Sequence, residues 1–340
     1  MSAHSTLQEI GSGGELKRSG SAYRNFVQPG GRFSPEGDRY HLYVSYACPW
    51  SSRCVAAFHL KGLDGCIGMS VVHPTWQRTR PEKDEHIGWA FASPQDPPLS
   101  NANGIGAFPA DDCIPDTVNG AKFIRDLYEA VNDTSGKYSV PVLWDKKNGT
   151  IVSNDSGDIL DMLNSQFNAW AKHPNIDLCP ADQKDKIDAI NEWVYRSIND
   201  GVYRCGFAQT QAAYDLAFDE VFDGLDKCEE ILGSRRFLAG NQLTTADIRL
   251  FVTLVRFDEL YAVFCKANKR LVRECPNLRE YVKDVYQTPG IAESVNMAHV
   301  KMHYYTTHQK LNWYAIIPKG APAWFDEPHD RGQRFPETTL

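Results

Sequence analysis

The sequence lacks a CxxC pair, a long apolar run and an excess of basic residues. Its nine cysteines are odd in number and irregular in spacing, which excludes a disulfide framework and a zinc knuckle and favours a reducing compartment. Lysine and arginine number 36 against 43 acidic residues, for a formal net charge of -7. Because nucleic acids and anionic membranes bind broad basic surfaces, we expect neither as a partner, and any anionic ligand must be held locally.

Targeting signals are also missing. No stretch approaches the ~18 consecutive apolar residues of a membrane span, and residues 1–20 contain no apolar segment typical of a secretory signal. Glu9 and Glu15, together with the absence of an Arg-rich amphipathic pattern, disfavour a transit peptide. We therefore expect a cytoplasmic protein.

The chain has 340 residues, and at roughly 150 residues per domain this length predicts two domains. Hydrophobic residues make up 42% of the chain and charged residues 23%, the balance of a folded globular protein. The predicted fold class is an α/β N-terminal domain at 36–172 followed by an all-α C-terminal domain at 181–317. Residues 1–35, rich in glycine and serine, and residues 318–340, with four prolines, are predicted to be extended arms outside the core.

A β-turn-α unit opens the first domain. Tyr40, Leu42 and Val44 alternate with their neighbours at the period of a strand, and a helical segment follows Cys48 and Pro49. Proline is favoured in the first turn of a helix because the N–H that it lacks would have no partner there. Cys48 is therefore predicted to lie where the strand turns into the helix.

Residues 73–118 form an unusual insertion in this domain. Seven prolines interrupt any long element, while Trp76, Trp89, Phe91 and Phe108 would be costly to leave in water. A structureless loop of this length is uncommon inside a domain unless it is functional. We therefore predict a packed insertion that forms a wall of a ligand site.

The other segments follow the periods of helices and strands. Helical spacing of apolar residues predicts a helix at 120–131, and Asn148-Gly149 between two apolar runs predicts a β-hairpin. Asn154-Asp155-Ser156 opens a further helix. Thr244-Thr245-Ala246-Asp247 is a capping signature, and the apolar residues after it predict a helix that is buried on all sides. The helical segments predicted for the second domain are 183–200, 211–232, 245–264 and 277–287.

Cys48 carries the clearest chemistry. The unsatisfied amides of a helix N-terminus carry about half a positive charge and stabilise a thiolate, which makes Cys48 a candidate nucleophile. Ser51 stands where the second cysteine of a CxxC motif would be, and Cys54 lies about 240° around the helix from Cys48. An external thiol must therefore resolve any mixed disulfide. The other eight cysteines are most simply buried hydrophobes, and the spacing of His303 and His308 does not fit a metal, so we predict no metal site.

Six unusual strings occur together in this chain. They are YACPW at 46–50, GWAF at 88–91, NGAKFIRDLY at 119–128, GVYRCGFA at 201–208, RFD at 256–258 and KMHYY at 301–305. With these motifs the chain resembles the cysteine-type glutathione transferases, and it is similar in particular to the glutathionyl-hydroquinone reductases of the Xi class. The resemblance covers about residues 23–320.

The resemblance implies a fold and a co-substrate. Residues 36–172 would form a thioredoxin-like glutathione-binding domain, and residues 181–317 the all-helical C-terminal domain of a glutathione transferase. The family also implies glutathione as co-substrate, a homodimer and a cis peptide bond between Val140 and Pro141.

The resemblance further assigns glutathione contacts, residue by residue. The Val140 backbone would pair with the cysteinyl part of glutathione, and Asp155 and Ser156 would bind its γ-glutamyl end. Asp155 stands where the family usually has glutamate, and Ser51-Ser52 stands where it usually has Ala-His. The remaining implied contacts are Trp89, Tyr138, Ser139 and Lys137, the last as partner of the glycyl carboxylate.

The catalytic roles are implied in the same way. Cys48 is the nucleophile and Tyr203 the proton donor. Tyr261 and Tyr304 match tyrosines that lower the pKa of the cysteine, since a phenol that donates to a thiolate favours the charged form.

Three functions remain open on the sequence. The first is reduction of glutathionyl-hydroquinones through a disulfide between Cys48 and glutathione, which a second glutathione resolves. The second is an omega-like thioltransferase or dehydroascorbate reductase that uses the same cysteine. The third is a binding protein that keeps the fold without turnover.

Overall fold

The structure is a computed structural model that describes residues 9–336, and it divides into two compact units. The first unit comprises residues 19–174 and 293–319, and the second comprises residues 9–18, 175–292 and 320–336. Residues 1–8 and 337–340 of the two predicted arms lie outside the described residues. The strands are β1 (Tyr40–Val44), β2 (Ile67–Val71), β3 (Gln77–Arg78), β4 (Ile87–Gly88), β5 (Val142–Asp145) and β6 (Thr150–Ser153). The helices are α1 (Pro49–Lys61), α2 (Ile124–Ala130), α3 (Ser156–Ser165), α4 (Lys184–Val194), α5 (Gly201–Gly206), α6 (Gln211–Ser234), α7 (Thr245–Arg256), α8 (Ala262–Phe264), α9 (Pro276–Tyr286), α10 (Met297–Thr307) and α11 (Arg331–Arg334).

The first unit is built on a mixed sheet with the strand order β2-β1-β5-β6. β1 runs parallel to β2 and antiparallel to β5, so that Leu42 lies opposite both Met69 and Leu143. All five residues of β1 are buried, as expected for a central strand covered on both faces. β5 and β6 pair antiparallel around the Asn148-Gly149 turn, where Gly149 has a φ of 59°. The α/β class and the hairpin are thus confirmed.

One helix of the first unit is shorter than predicted. The period suggested residues 120–131, whereas α2 begins at Ile124. The carboxylate of Asp126 accepts hydrogen bonds from the N–H groups of Lys122 (2.8 Å) and Phe123 (3.0 Å). Phe123 is the N-cap and Asp126 the third helical residue, so the bond from the Phe123 N–H to the Asp126 side chain is one half of a capping box, and it fixes the helix start after Phe123.

The insertion is packed, as predicted, and it holds α10. Trp89 and Phe108 of the insertion are buried. Thr75 Oγ1 lies 2.7 Å from Thr306 Oγ1, and His303 Nδ1 lies 2.7 Å from the carbonyl oxygen of Pro74. α10 therefore belongs to the first unit, although the sequence placed it in a helical domain at 181–317. Periodicity shows that a segment is helical but not which unit its buried polar groups pair with.

The second unit is helical, and all four predicted segments are present. Two of them are interrupted by wider π-helical turns, at Tyr195–Asn199 after α4 and at Phe257–Tyr261 after α7. Every residue of α7 except Arg249 is buried, which confirms the helix predicted to be buried on all sides. Among residues 9–336, no helix is both long and apolar enough to cross a membrane.

A buried carboxylate anchors α7. Asp247 accepts hydrogen bonds from the N–H groups of Leu238 (2.8 Å) and Thr244 (2.9 Å), from the Thr244 hydroxyl (2.9 Å) and from the Tyr281 hydroxyl (3.0 Å). The predicted capping signature thus also ties α7 to α9, on which Tyr281 lies.

Both terminal segments contribute to the core, contrary to the expectation of arms outside it. Residues 9–35 contain no helix and no strand, but Leu16, Val27 and Phe33 are buried. Near the other end, Trp324 and Arg331 are buried, and the Arg331 guanidinium donates to the carbonyl of Leu232 at 3.2 Å. Single apolar side chains anchor these segments in the core. Because they are isolated, they produce no helical or strand periodicity that the sequence analysis could have detected.

Candidate active site

Cys48 occupies the N-cap of α1. Its backbone is extended, with φ -83° and ψ 118°, and Pro49 follows in the first turn, as predicted. Its Sγ lies 3.8 Å from the carbonyl oxygen of Val140. A thiol at this position faces the positive end of the helix dipole, which favours a thiolate. The N-cap geometry therefore agrees with Cys48 as the candidate nucleophile.

Ser51 has a structural role in the same turn. It is fully buried, and its Oγ accepts a hydrogen bond from the N–H of Ser45 at 3.3 Å. In a redox dithiol this position holds the resolving cysteine. Ser51 instead supports the turn that carries Cys48.

The other cysteines differ from Cys48 in their surroundings. No disulfide joins any of the nine cysteines in the part of the chain that the structure describes. Burial raises the pKa of Cys66 to about 11 and those of Cys113 and Cys205 to about 12, which keeps these thiols protonated near neutral pH. Cys54 donates to the carbonyl of Ser156 at 3.6 Å. The burial of these four cysteines fits the prediction of buried hydrophobes, whereas Cys179 departs from it because it is only partly buried.

A buried apolar cluster brings three of the predicted site residues together, namely Cys48, Trp89 and Val140. The peptide bond between Val140 and Pro141 is cis, which confirms that expectation. The Trp89 indole stacks on the His303 ring with 4.5 Å between centroids and 23° between planes. The insertion thus supplies a side chain of this cluster.

Tyr138 and Ser139 precede Val140 and contact α2. The Tyr138 ring meets the Tyr128 ring at 5.6 Å, and the Tyr128 hydroxyl donates to the carbonyl of Ser139 at 3.0 Å. The Arg125 guanidinium lies 5.3 Å from the centroid of the Tyr138 ring. These contacts hold the segment that leads into the cis bond.

Asp155 caps α3, a role that fits the predicted helix start. Its Oδ1 accepts from the N–H groups of Gly157 (2.9 Å) and Asp158 (3.1 Å), and its Oδ2 accepts from the Ser21 hydroxyl at 3.1 Å. Ser156 is the first residue of the helix. A carboxylate and a hydroxyl therefore meet at a helix N-terminus, where a ligand with both an ammonium and a carboxylate can bind.

The segment after residue 18 also contacts a predicted glutathione residue. Lys137 Nζ donates to the carbonyl (3.2 Å) and the hydroxyl (3.1 Å) of Ser19. Sequence reasoning missed Ser19 and Ser21, because their partners are more than a hundred residues away and no local pattern marks them.

Tyr304 lies in the first unit rather than in the helical half where the sequence placed it. It is buried on α10, and its ring lies 4.9 Å from the His303 ring. Burial lowers the pKa of His303 to about 4, so this neighbour of Tyr304 is neutral near pH 7.

The second unit brings Tyr203 and Tyr261 together. Their hydroxyl oxygens are 3.3 Å apart, and their rings meet edge to face at 5.7 Å. Tyr203 lies on α5, and Tyr261 is the last residue of the second π-helical turn. Two buried phenols in hydrogen-bond reach can pass a proton between them. Sequence reasoning missed their neighbour Arg18, whose guanidinium lies 4.7 Å from the centroid of the Tyr203 ring.

Two domain-family models and two related proteins match this chain. The model of the glutathione S-transferase N-terminal domain matches residues 47–166, and the model of the C-terminal domain matches residues 211–284. Glutathionyl-hydroquinone reductase YqjG of Escherichia coli is 43% identical over 95% of this chain and 94% of that protein. The Xi glutathione transferase of Phanerochaete chrysosporium superposes with a TM-score of 0.83 at 40% identity, over 94% of this chain and 97% of that one. The chain belongs to the Xi class of glutathione transferases.

The solved glutathione-bound structure of YqjG supports the same assignment. It superposes on this Xi-class transferase with a TM-score of 0.82 at 42% identity, over 92% of this chain and 97% of that one. The recognition of the family and the fold class predicted from sequence are thereby confirmed. The matched N-terminal domain contains Cys48, Trp89 and the segment from Lys137 to Ser156, and the matched C-terminal domain contains Tyr261.

Proposed function

We propose that this Xi-class transferase reduces glutathionyl-hydroquinones to hydroquinones, with glutathione as the reductant. The observation that carries the proposal is the Cys48 thiol at the N-cap of α1, with Ser51 hydrogen-bonded to Ser45 where a resolving cysteine would stand. Because serine stands at the resolving position of this turn, a mixed disulfide at Cys48 must be resolved by a thiol from solution. The relatedness to proteins named glutathionyl-hydroquinone reductase supports this substrate class.

The reaction has two steps. In the first, the Cys48 thiolate attacks the sulfur of the glutathionyl-hydroquinone, the bond from sulfur to the aryl carbon breaks, and that carbon takes a proton. In the second, a glutathione thiol gives up its proton and attacks the disulfide between Cys48 and glutathione, which releases oxidised glutathione and the Cys48 thiolate. The hydroquinone ring is reduced by two electrons, and two glutathionyl sulfurs are oxidised to a disulfide.

Eight further residues of the first unit are assigned to glutathione binding and to stabilisation of the thiolate. The Val140 backbone would pair with the cysteinyl unit of glutathione, and Asp155 would hold the γ-glutamyl ammonium. Lys137 would hold the glycyl carboxylate in place of its present contact with Ser19. Ser156, Trp89, Tyr138 and Ser139 would complete the glutathione site, and Tyr304 would stabilise the thiolate.

Two phenols of the second unit are assigned to the chemistry. Tyr203 would donate the proton to the aryl carbon, and Tyr261 would favour the thiolate form of Cys48. Their hydroxyls are within 3.3 Å of each other, which supports a shared role. A homodimer and a cytoplasmic location stay predictions of the family resemblance and the composition.

The test is turnover of glutathionyl-menadiol by the full chain with glutathione. We expect menadiol and oxidised glutathione from the wild type and no product from Cys48→Ala. Cys179→Ala is the matched control, because Cys179 is the one cysteine in residues 9–336 that is not buried, and it should keep full turnover. Wild-type turnover by Cys48→Ala would contradict the mechanism. Turnover of dehydroascorbate or small disulfides without turnover of glutathionyl-menadiol would favour the thioltransferase alternative.

A glutathione adduct separates an enzyme from a binding protein. Intact-mass analysis after treatment with oxidised glutathione should show one added glutathionyl group in the wild type and none in Cys48→Ala. A protein that takes up no glutathionyl group would favour the binding role.

A further inference from the structure

Residues 9–18 fold back on themselves and pack against the helical part of the second unit, to which they belong. Ile10 bridges Leu16, and the N–H of Lys17 donates to the carbonyl of Glu9 at 2.8 Å. The carbonyl of Gly14 accepts from the N–H of Gln209 at 2.8 Å. We call residues 9–18 the N-terminal hairpin.

Gly14 allows the N-terminal hairpin to pack closely against Thr210. Its φ is 83°, in the left-handed region, and a Cβ there would lie 2.8 Å from Cγ2 of Thr210. The Thr210 hydroxyl also donates to the carbonyl of Gly13 at 2.8 Å. Because Leu16 is buried as well, the last residue of the hairpin, Arg18, is held in a defined place.

Arg18 is directed onto Tyr203. Its guanidinium carbon lies 4.7 Å from the centroid of the ring, within the range of a cation–π interaction, and its Nε donates to the carboxylate of Asp200. The side chains of Arg18 and Asp200 are only 16% and 12% exposed. Solvent screens a charge in such a place only weakly, so the Arg18 cation stabilises negative charge on the neighbouring Tyr203 ring more strongly than an exposed cation would.

We propose that Arg18 is a positioning residue for the proton transfer by Tyr203, a role that rests on the proposed function. When the Tyr203 O–H bond breaks and the aryl carbon gains its hydrogen, the phenolate that remains lies beside the Arg18 cation, which stabilises it. The phenolate then recovers a proton from the thiol of the second glutathione, which must lose one in order to attack. The N-terminal hairpin thus supplies a positioning residue for the proposed proton transfer.

A purely structural alternative must be separated from this role. The pair of Arg18 with Asp200 could serve only to fasten the hairpin, because Asp200 also forms the N-cap of α5. Titratable groups that face Tyr203 include Arg18 from the hairpin and Tyr261 from the π-helical turn. The Arg18 guanidinium is in turn paired with the Asp200 carboxylate and interacts electrostatically with the Tyr195 phenol. A test must therefore change the charge of Arg18 and follow Tyr203 directly.

The first experiment is a double-mutant cycle on turnover of glutathionyl-menadiol. We expect Arg18→Gln to lower kcat by roughly 10–100-fold, and Arg18→Lys, which keeps the charge, to retain more activity. In the Tyr203→Phe background Arg18→Gln should have no further effect, because the phenolate it stabilises is gone. Lys17→Gln is the matched control, since Lys17 belongs to the same hairpin and is 67% exposed, and it should leave kcat unchanged.

The second experiment observes Tyr203 without turnover. In protein labelled with [13Cζ]tyrosine, the resonance lost in Tyr203→Phe identifies Tyr203, and its titration is compared between the wild type and Arg18→Gln. Loss of a weakly screened cation should move that titration upward by about one pH unit, whereas loss of a fastening contact would lower the thermal midpoint and leave the titration in place.

The outcomes distinguish this inference from the proposed function. If Arg18→Gln slows Tyr203→Phe as much as it slows the wild type, or leaves the Tyr203 titration unmoved, the inference is wrong while the proposed function stands. If Tyr203→Phe has wild-type kcat but Cys48→Ala is inactive, both the role of Tyr203 and that of Arg18 are overturned, and the Cys48 chemistry stands.

Discussion

At the scale of single residues, Asp155 has two functions that one substitution can separate. One of its oxygens caps α3 through two backbone amides, and the other accepts from the Ser21 hydroxyl. The cap needs an acceptor but not a charge, since asparagine caps helices as well as aspartate does. Binding of the glutathione ammonium needs the negative charge.

We therefore predict different results for Asp155→Asn and Asp155→Ala. Asp155→Asn should keep the stability of the wild type within a few tenths of a kcal/mol, whereas Asp155→Ala should lose about 1 kcal/mol with the cap. Both should raise the KM for glutathione by roughly 10–100-fold, because each removes a charged hydrogen bond of about 1.5–3 kcal/mol. Urea denaturation and steady-state kinetics measure the two effects, and a wild-type KM in Asp155→Asn would exclude the carboxylate as the ammonium partner.

The sequence predicts the part of the site that depends on local structure. Strand alternation and Pro49 locate Cys48 at a helix start, and Asn154-Asp155-Ser156 marks the start of α3. Arg18 and Ser21 could not be found in this way, because their partners lie 182 and 134 residues further along the chain. Such contacts depend on how the chain folds back, and neither residue stands in an apolar period.

At the scale of elements, the two π-helical turns show what a helical period cannot reveal. The sequence predicted continuous helices at 183–200 and 245–264, whereas each contains a wider turn, at Tyr195–Asn199 and Phe257–Tyr261. A single π-helical turn changes the spacing of apolar residues too little to interrupt the helical periodicity of the segment, so the sequence does not reveal it. The second turn ends on Tyr261, in keeping with the frequent occurrence of such turns at functional sites.

The stability of α7 depends on Asp247, and we predict a large effect of Asp247→Asn. The buried carboxylate accepts from Leu238, from Thr244 and from Tyr281 on α9, and an amide cannot accept all of these bonds. We expect a loss of roughly 3 kcal/mol in the free energy of unfolding, measured by urea denaturation. Asp188→Asn is the matched control, because Asp188 forms an exposed pair with Lys184 on α4 and should change stability by less than about 0.5 kcal/mol. Equal effects of the two substitutions would show that Asp247 does not anchor the helix.

At the scale of the whole molecule, the histidines are unevenly divided between the two units. Burial lowers the pKa of six histidines of the first unit: His41, His59, His73, His299, His303 and His308. The second unit contains a single histidine, His329. The two units should therefore respond differently to mild acid.

The sign of the response follows from linkage. An unfolded histidine takes up a proton below its ordinary pKa of 6.5, whereas folded His41 and His303 do so only near their pKa values of about 4. Their contribution to stability is complete above pH 6.5 and is lost as the pH falls from 6.5 to about 4. At about 1.4 kcal/mol for each pH unit, each of these two histidines costs the folded state roughly 2 kcal/mol at pH 5 relative to pH 7.

We predict that the first unit opens before the second as the pH falls from 7 to 5. Hydrogen exchange, corrected for intrinsic rates at each pH, should show a loss of protection in β1, β2 and α10 and little change in α6 and α7.

In His41→Gln the loss of unfolding free energy between pH 7 and pH 5 should be smaller by roughly 2 kcal/mol, because one of the protonation sites of the unfolded chain is gone. His173→Gln is the control, since His173 is exposed in the same unit and should leave the pH dependence as in the wild type. Carboxylates that are stabilised by ion pairs lose their contribution to stability only below about pH 4, so they should contribute little between pH 7 and pH 5. An equal loss of protection in both units would therefore contradict the assignment of this response to the buried histidines.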